Sequence, residues 1–139
     1  MLREGEAADC ERAIAQAGPA VSVFFHNMVE TTEAGAMAGV LPPPINDILE
    51  QYRANYQNNG PADERYLENH RGHLMFVRDE ERALMDPALI GQMTMTGKPE
   101  AIRDRLQGLA QAGYTQFVVQ LVEHHEDALE QWADVFESL

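Results

Sequence analysis

From Thr96 to Val122 the chain reads as a loop, a helix, a tight glycine turn and an apolar strand, and this order constrains the fold more than any other stretch. Near-continuous apolarity, as in Phe117-Val118-Val119, marks a strand buried on both faces. Parallel strands of that kind need neighbours on both edges and helices over both faces. Few other segments of the 139 residues read as strands. His73–Val77 is one, as a short strand or an extended segment across a core, and the short alternating run Met93–Thr96 is another. The expected class is therefore α/β, with this step a piece of a larger parallel sheet or barrel.

Local signals around the step are consistent with one another. Gly97 is placed as an N-cap, Pro99 in the first turn and Glu100 at the third helical position, near the positive end of the helix dipole. Ile102, Leu106 and Leu109 form a buried face, and Gly113 stands where a left-handed glycine ends a helix. Ala128, Leu129, Trp132, Val135, Phe136 and Leu139 make a last helical stripe.

Upstream the pattern is helical. Glu6 to Ala17 predicts a polar helix ended or kinked at Gly18-Pro19. Val21, Phe24, Phe25, Met28 and Val29 then give an apolar stripe that ends near Thr31. Thr32 to Pro44, rich in Gly, Ala and Pro, reads as a loop. Ile45, Ile48, Leu49, Tyr52 and Tyr56 form the next stripe, closed by Asn58-Asn59-Gly60-Pro61. Short helices are predicted over 62–70, 80–85 and 87–92, with Asp86 capping and Pro87 in a first turn. The whole, 1–139, is expected to be a single partial domain, with 1–92 mostly helical and 93–139 a strand-helix-strand-helix unit.

Charge limits the partners. With 23 acidic against 10 basic side chains the formal charge is -13. Such a chain is repelled by phosphate backbones and by anionic bilayers, so neither nucleic acid nor membrane is an expected partner. The apolar runs are far shorter than the ~20 residues of a membrane span, and the acidic start is unlike a secretion signal. A cytoplasmic setting is expected. Cys10 is the sole cysteine, which excludes an internal disulfide and a cysteine-based zinc framework.

Taken in order, Gly97-Lys98-Pro99-Glu100-Ala101-Ile102, the Leu106 and Leu109 helix, Ala112-Gly113 and Phe117-Val118-Val119-Gln120 resemble the C-terminal end of luciferase-like flavin-dependent oxidoreductases. Ala17-Gly18-Pro19-Ala20-Val21 leading to Phe25-His26, and Tyr66-Leu67-Glu68-Asn69-His70-Arg71-Gly72-His73-Leu74, are similar to the methylenetetrahydromethanopterin reductase-like branch. The resemblance runs from about Asp9 to the end. It implies a (β/α)8 barrel of which this chain is the C-terminal part, helix-rich with two or three short parallel strands. It also implies FMN or a deazaflavin as cofactor and a small-molecule substrate. Most cofactor contacts in that family come from earlier strands, so the isolated chain is expected to bind cofactor poorly, or to need a partner. The alternative is a non-catalytic α/β module that forms homo-oligomers through the open barrel edge.

Candidate site residues follow from these placements. Gln120, near the end of the last expected strand, and His70 and His73 are candidates for a substrate pocket. The bland alternatives are a core hydrogen bond for Gln120 and structural roles for the histidines. Thr96 and Gly97 lie at a strand-to-helix turn whose free N–H groups suit an anion. The run Glu123-His124-His125-Glu126-Asp127 has metal-like composition, yet adjacent residues point apart and read as a solvated helix start. His26 reads as a satisfied helix histidine. No metal site is assigned, although a weaker alternative is a metal-dependent enzyme using His70, His73, His124 and His125. No catalytic residue is assigned either: there is no Ser-His-Asp order, Walker loop or dinucleotide fingerprint.

Overall fold

The computed structural model describes all residues, 1–139. The chain forms seven helices: α1 Glu11–Thr31, α2 Pro43–Gln57, α3 Arg65–Asn69, α4 Asp79–Arg82, α5 Pro87–Met93, α6 Pro99–Gln111 and α7 Ala128–Glu137. There is no strand. The expected α/β class, a C-terminal part of a (β/α)8 barrel with two or three short parallel strands, is thereby overturned, and with it the open barrel edge.

Each expected strand has its own reason for not forming. Met93 completes α5, and Thr94 is bound back to that helix, its N–H and its hydroxyl both donating to the Ile90 carbonyl. His73–Val77 opens with turns, Met75 and Phe76 N–H both reaching the Gly72 carbonyl. Gly72 and Leu74 there take positive φ of 78° and 62°. Tyr114–Val122 is not helical, but Thr115 through Leu121 make no backbone hydrogen bond. A strand exists only as one member of a ladder, and no second member lies beside it.

The helical stripes are where the periodicity puts them. Val21, Phe25 and Val29 of α1 are buried, and α1 ends at Thr31. Leu49 and Tyr52 of α2 pack on them, with Phe25 and Tyr52 stacked at a ring separation of 5.4 Å. Leu89 and Ile90 of α5, with Val77 and Met85, complete this main core. A smaller core joins Ile102 and Leu106 of α6 to Val135 of α7, covered by Met1, Met95, Phe117 and Trp132. No helix is long and apolar enough to cross a membrane.

Caps account for several of the boundaries. Cys10 caps α1, its Sγ accepting from Ala13 N–H at 3.4 Å. Asp86 caps α5 by accepting from Ala88 N–H, with Pro87 in the first turn as predicted. The N-cap of α6 is Lys98, one residue beyond the predicted Gly97. At the other end Gly113 has φ 98°, with Gly113 N–H on the Ala110 carbonyl and Tyr114 N–H on the Leu109 carbonyl, the paired bonds of a Schellman cap.

One predicted helix end is absent. Pro19 lies inside α1, which runs through Gly18-Pro19 without ending. Tertiary packing outweighs the local signal here, because both residues are buried. A Cβ on Gly18 would stand 2.5 Å from Val77 Cγ2, so only glycine admits the segment before α4 against α1. Gly18→Ala is expected to lower stability by about 1–2 kcal/mol, overpacking outweighing the better helix propensity of alanine. Urea denaturation checks this, and Val77→Ala in the Gly18→Ala background should recover most of the loss.

Candidate functional site

Three imidazoles meet where α1, α2 and the α3–α4 connection come together. His26 stands on α1, one position past Phe25 of the buried stripe, and is 2% exposed. His70 caps α3 at its C-terminus, and His73 follows after the Gly72 turn, its N–H donating to the His70 carbonyl at 3.0 Å. The end of α3 at Asn69 therefore does not separate the two rings. The turn returns His73 to His70, with ring centroids 4.8 Å apart.

The three Nδ1 atoms converge. His73 Nδ1 lies 3.1 Å from His26 Nδ1 and 3.0 Å from His70 Nδ1. All three ligand atoms fall within 4.8 Å of one another. The opposite nitrogens of two rings face carboxylates: His26 Nε2 is 2.8 Å from Glu81 Oε1, and His70 Nε2 is 3.0 Å from Glu30 Oε1.

The carboxylates are themselves fixed. Glu81, 2% exposed, accepts from the Tyr52 hydroxyl, from Arg78 Nη2 at 2.8 Å and from Arg78 N–H at 2.9 Å. Arg78 continues the network to the Tyr52 oxygen at 3.1 Å and the Glu68 carbonyl at 2.9 Å, tying α4 to α2 and α3. Glu30 accepts from the Asn69 amide at 2.6 Å. Burial pushes the Glu81 carboxyl up, but hydrogen bonds from His26, Arg78 and Tyr52 outweigh it and hold its pKa at about 2. Burial and the neighbouring Glu81 push the Tyr52 phenol up, so it remains a donor.

Proton placement follows from these acceptors. In the neutral tautomer a ring nitrogen facing a carboxylate carries the hydrogen, so neutral His26 and His70 would donate through Nε2 and turn their Nδ1 lone pairs inward. The His73 Nδ1 then faces two lone pairs with one hydrogen at most. Desolvation, followed by the nearby His70 and His26, lowers the His73 pKa and favours its neutral form. Three inward nitrogens with carboxylates behind two of them are the arrangement in which imidazoles hold a metal ion.

The other predicted residues lie elsewhere. Thr96 and Gln120 line an apolar groove of about 550 Å³ between α1, α6 and the Tyr114–Val122 segment, with Met93, Leu106, Phe117 and Trp132 among its walls. The Thr96 hydroxyl is engaged with the Thr94 hydroxyl at 2.7 Å, and the Gly97 carbonyl accepts from Leu2 N–H at 2.8 Å. Gly97 is not part of the groove lining. His124, in a left-handed turn with φ 67°, and His125 precede α7 and are not in the histidine cluster. His26, Glu81 and Glu30 are the residues sequence reasoning did not assign to the site. The one signal for His26 was a polar ring beside a buried stripe. Comparison with protein-family models, with curated proteins and with solved structures gives no match to this chain.

Proposed function

We propose that the chain is a divalent-metal-binding protein, with His26, His70 and His73 as ligands through Nδ1 and zinc as the best-fitting ion. The observation that carries this reading is the convergence of three Nδ1 atoms while Glu81 and Glu30 hold the far sides of two rings. Tetrahedral zinc with nitrogens at 2.0–2.1 Å brings ligand nitrogens to ~3.3 Å from one another, close to the two short separations here. Three imidazoles without thiolate suit zinc, copper or nickel better than magnesium or calcium. His70 is exposed and His73 half-buried, so the fourth position faces solvent. Three protein ligands and a water are the ligand set of catalytic rather than structural zinc. A metal ion held by these three residues would supply Lewis-acid chemistry, polarising a bound water and lowering its pKa.

Expected on titration of the apo protein is one zinc per chain, with release of the proton held between the rings and a rise in thermal stability. Isothermal calorimetry in two buffers of different ionisation enthalpy, with elemental analysis of the dialysed protein, measures both. Absence of stoichiometric binding by zinc, copper and nickel would remove the proposal.

A second reading is the flavin- or deazaflavin-dependent oxidoreductase that the sequence resemblance implies, acting in the cytoplasm with partner help. One observation favours it: Thr96 and Gln120, separated in sequence, line the same apolar groove. The groove suits an aromatic ring system, but no Lys or Arg lines it to meet a cofactor phosphate. Fluorescence titration with FMN and with a deazaflavin tests it, and a linear, unsaturable response to both would sink it.

A further inference from the structure

We infer that Tyr114–Val122 is a self-association segment, pairing antiparallel with the same segment of a second copy of this chain. This inference is independent of the metal reading.

The backbone is the first argument. Thr115 through Leu121 leave every N–H and C=O without a backbone partner, in a stretch that is neither helical nor turned. Burial alternates along it: Phe117, Val119 and Leu121 are half-buried, whereas Gln116, Val118 and Gln120 are exposed, Val118 at 87%, all six bordering the open groove. That is the period of a strand with one covered face, and an unpaired strand edge is a template for another.

Charge selects the occupant. The protein carries -13 overall, so two copies repel across most of their surfaces. From Gly113 to Val122 there is no charged side chain, neither the edge lysine nor the proline that blunts such edges in other proteins. This neutral window is where a second acidic copy approaches at least electrostatic cost.

The segment is also self-complementary about Val118. With Val118 on the two-fold axis, Phe117 of each copy lies opposite Val119 of the other, and Gln116 opposite Gln120. Aromatic and β-branched residues are favourable cross-strand neighbours. Both half-buried rows then fall on one side of the paired ribbon. The contact is isologous, the same edge of both copies meeting about the two-fold axis.

Sedimentation velocity over a range of protein and salt concentrations tests this. Expected are a monomer–dimer equilibrium for the wild type that shifts toward dimer as salt screens the net charge, and an amide I infrared component of antiparallel strand in the dimer. Val118→Lys places like charges opposite each other on the axis and should weaken the dimer by about tenfold or more. Val118→Glu should do the same, and an equimolar mixture of the two variants should dimerise again. Unchanged far-UV circular dichroism of each variant confirms that it is folded. A wild type that stays monomeric at every concentration overturns the inference. So does a dimer that Val118→Lys leaves intact, or a variant mixture that does not re-form it.

Discussion

His73→Ala is expected to abolish tight zinc binding while leaving the apo fold in place. His73 Nδ1 is the atom both other rings approach, at 3.0 and 3.1 Å, so its loss removes the centre of the ligand set. Loss of an outer carboxylate partner alone costs 10–100-fold in metal affinity, and loss of a ligand should exceed about 100-fold. The apo protein should scarcely notice, because His73 is half-buried and its ring hydrogen bonds are confined to the histidine trio. A chelator-competition titration reads the affinity, and thermal unfolding with and without zinc reads the linkage. The wild type should gain about 2.7 kcal/mol at a zinc concentration 100 times its Kd, whereas His73→Ala should gain nothing at that concentration. An equal zinc-induced shift in both proteins would show that the ion binds elsewhere.

Glu81→Ala is expected to be the most damaging single change in the molecule, with a loss of about 3–5 kcal/mol. Its carboxylate receives His26, the Tyr52 hydroxyl and two donors from Arg78, in a site from which water is excluded. Removing it leaves the buried Arg78 guanidinium without its closest counter-charge and His26 without the acceptor that orients it. Glu81→Gln keeps the volume and should lose less, but it presents an amide NH2 in place of one oxygen of a group on which four donors converge. Urea midpoints rank the three proteins, and a Glu81→Gln stability equal to wild type would refute the role given to the charge. The same group sets an acid limit. Its folded pKa of about 2 lies below the unfolded value near 4.5, so its contribution is complete above pH 4.5 and lost as pH falls toward 2. That contribution is roughly 3 kcal/mol, and the pH dependence of the urea midpoint should flatten in Glu81→Gln over this range.

Helices were legible in the sequence because each depends mainly on its own residues. Val21, Phe25 and Val29 show their face by spacing alone, and Asp86-Pro87 and Gly113 fix ends by cap chemistry that acts within a few residues. Phe117-Val118-Val119 misled for the opposite reason. Its composition is that of a strand, but a strand is a pairwise object, and no other segment of this fold is placed to pair with it. Gly18-Pro19 misled because both residues are buried in α1, with Val77 from far along the chain lying against Gly18.

The site was half visible. His70 and His73 are close in sequence and drew notice, but the third ligand lies 47 residues before His73, and the buried carboxylate 55 residues beyond His26. Glu81 stands in the run Asp79-Glu80-Glu81-Arg82, where nothing marks one acid as buried and its neighbours as solvated. The α1–α2–α4 packing makes that distinction.

The division of the interior into two cores bears on how the molecule opens. The α6–α7 core has three fully buried apolar residues against ten around α1, α2 and α5. Free energies of local opening follow buried apolar contact, so the C-terminal pair forms the weaker foldon. Its amides are expected to exchange with solvent through excursions that leave the histidine trio intact. Zinc bound as proposed should therefore slow exchange in α1 and around His70 and His73, where opening breaks the ligand set, and leave the α6–α7 rates unchanged, so that ligand energy is confined to one half of the chain.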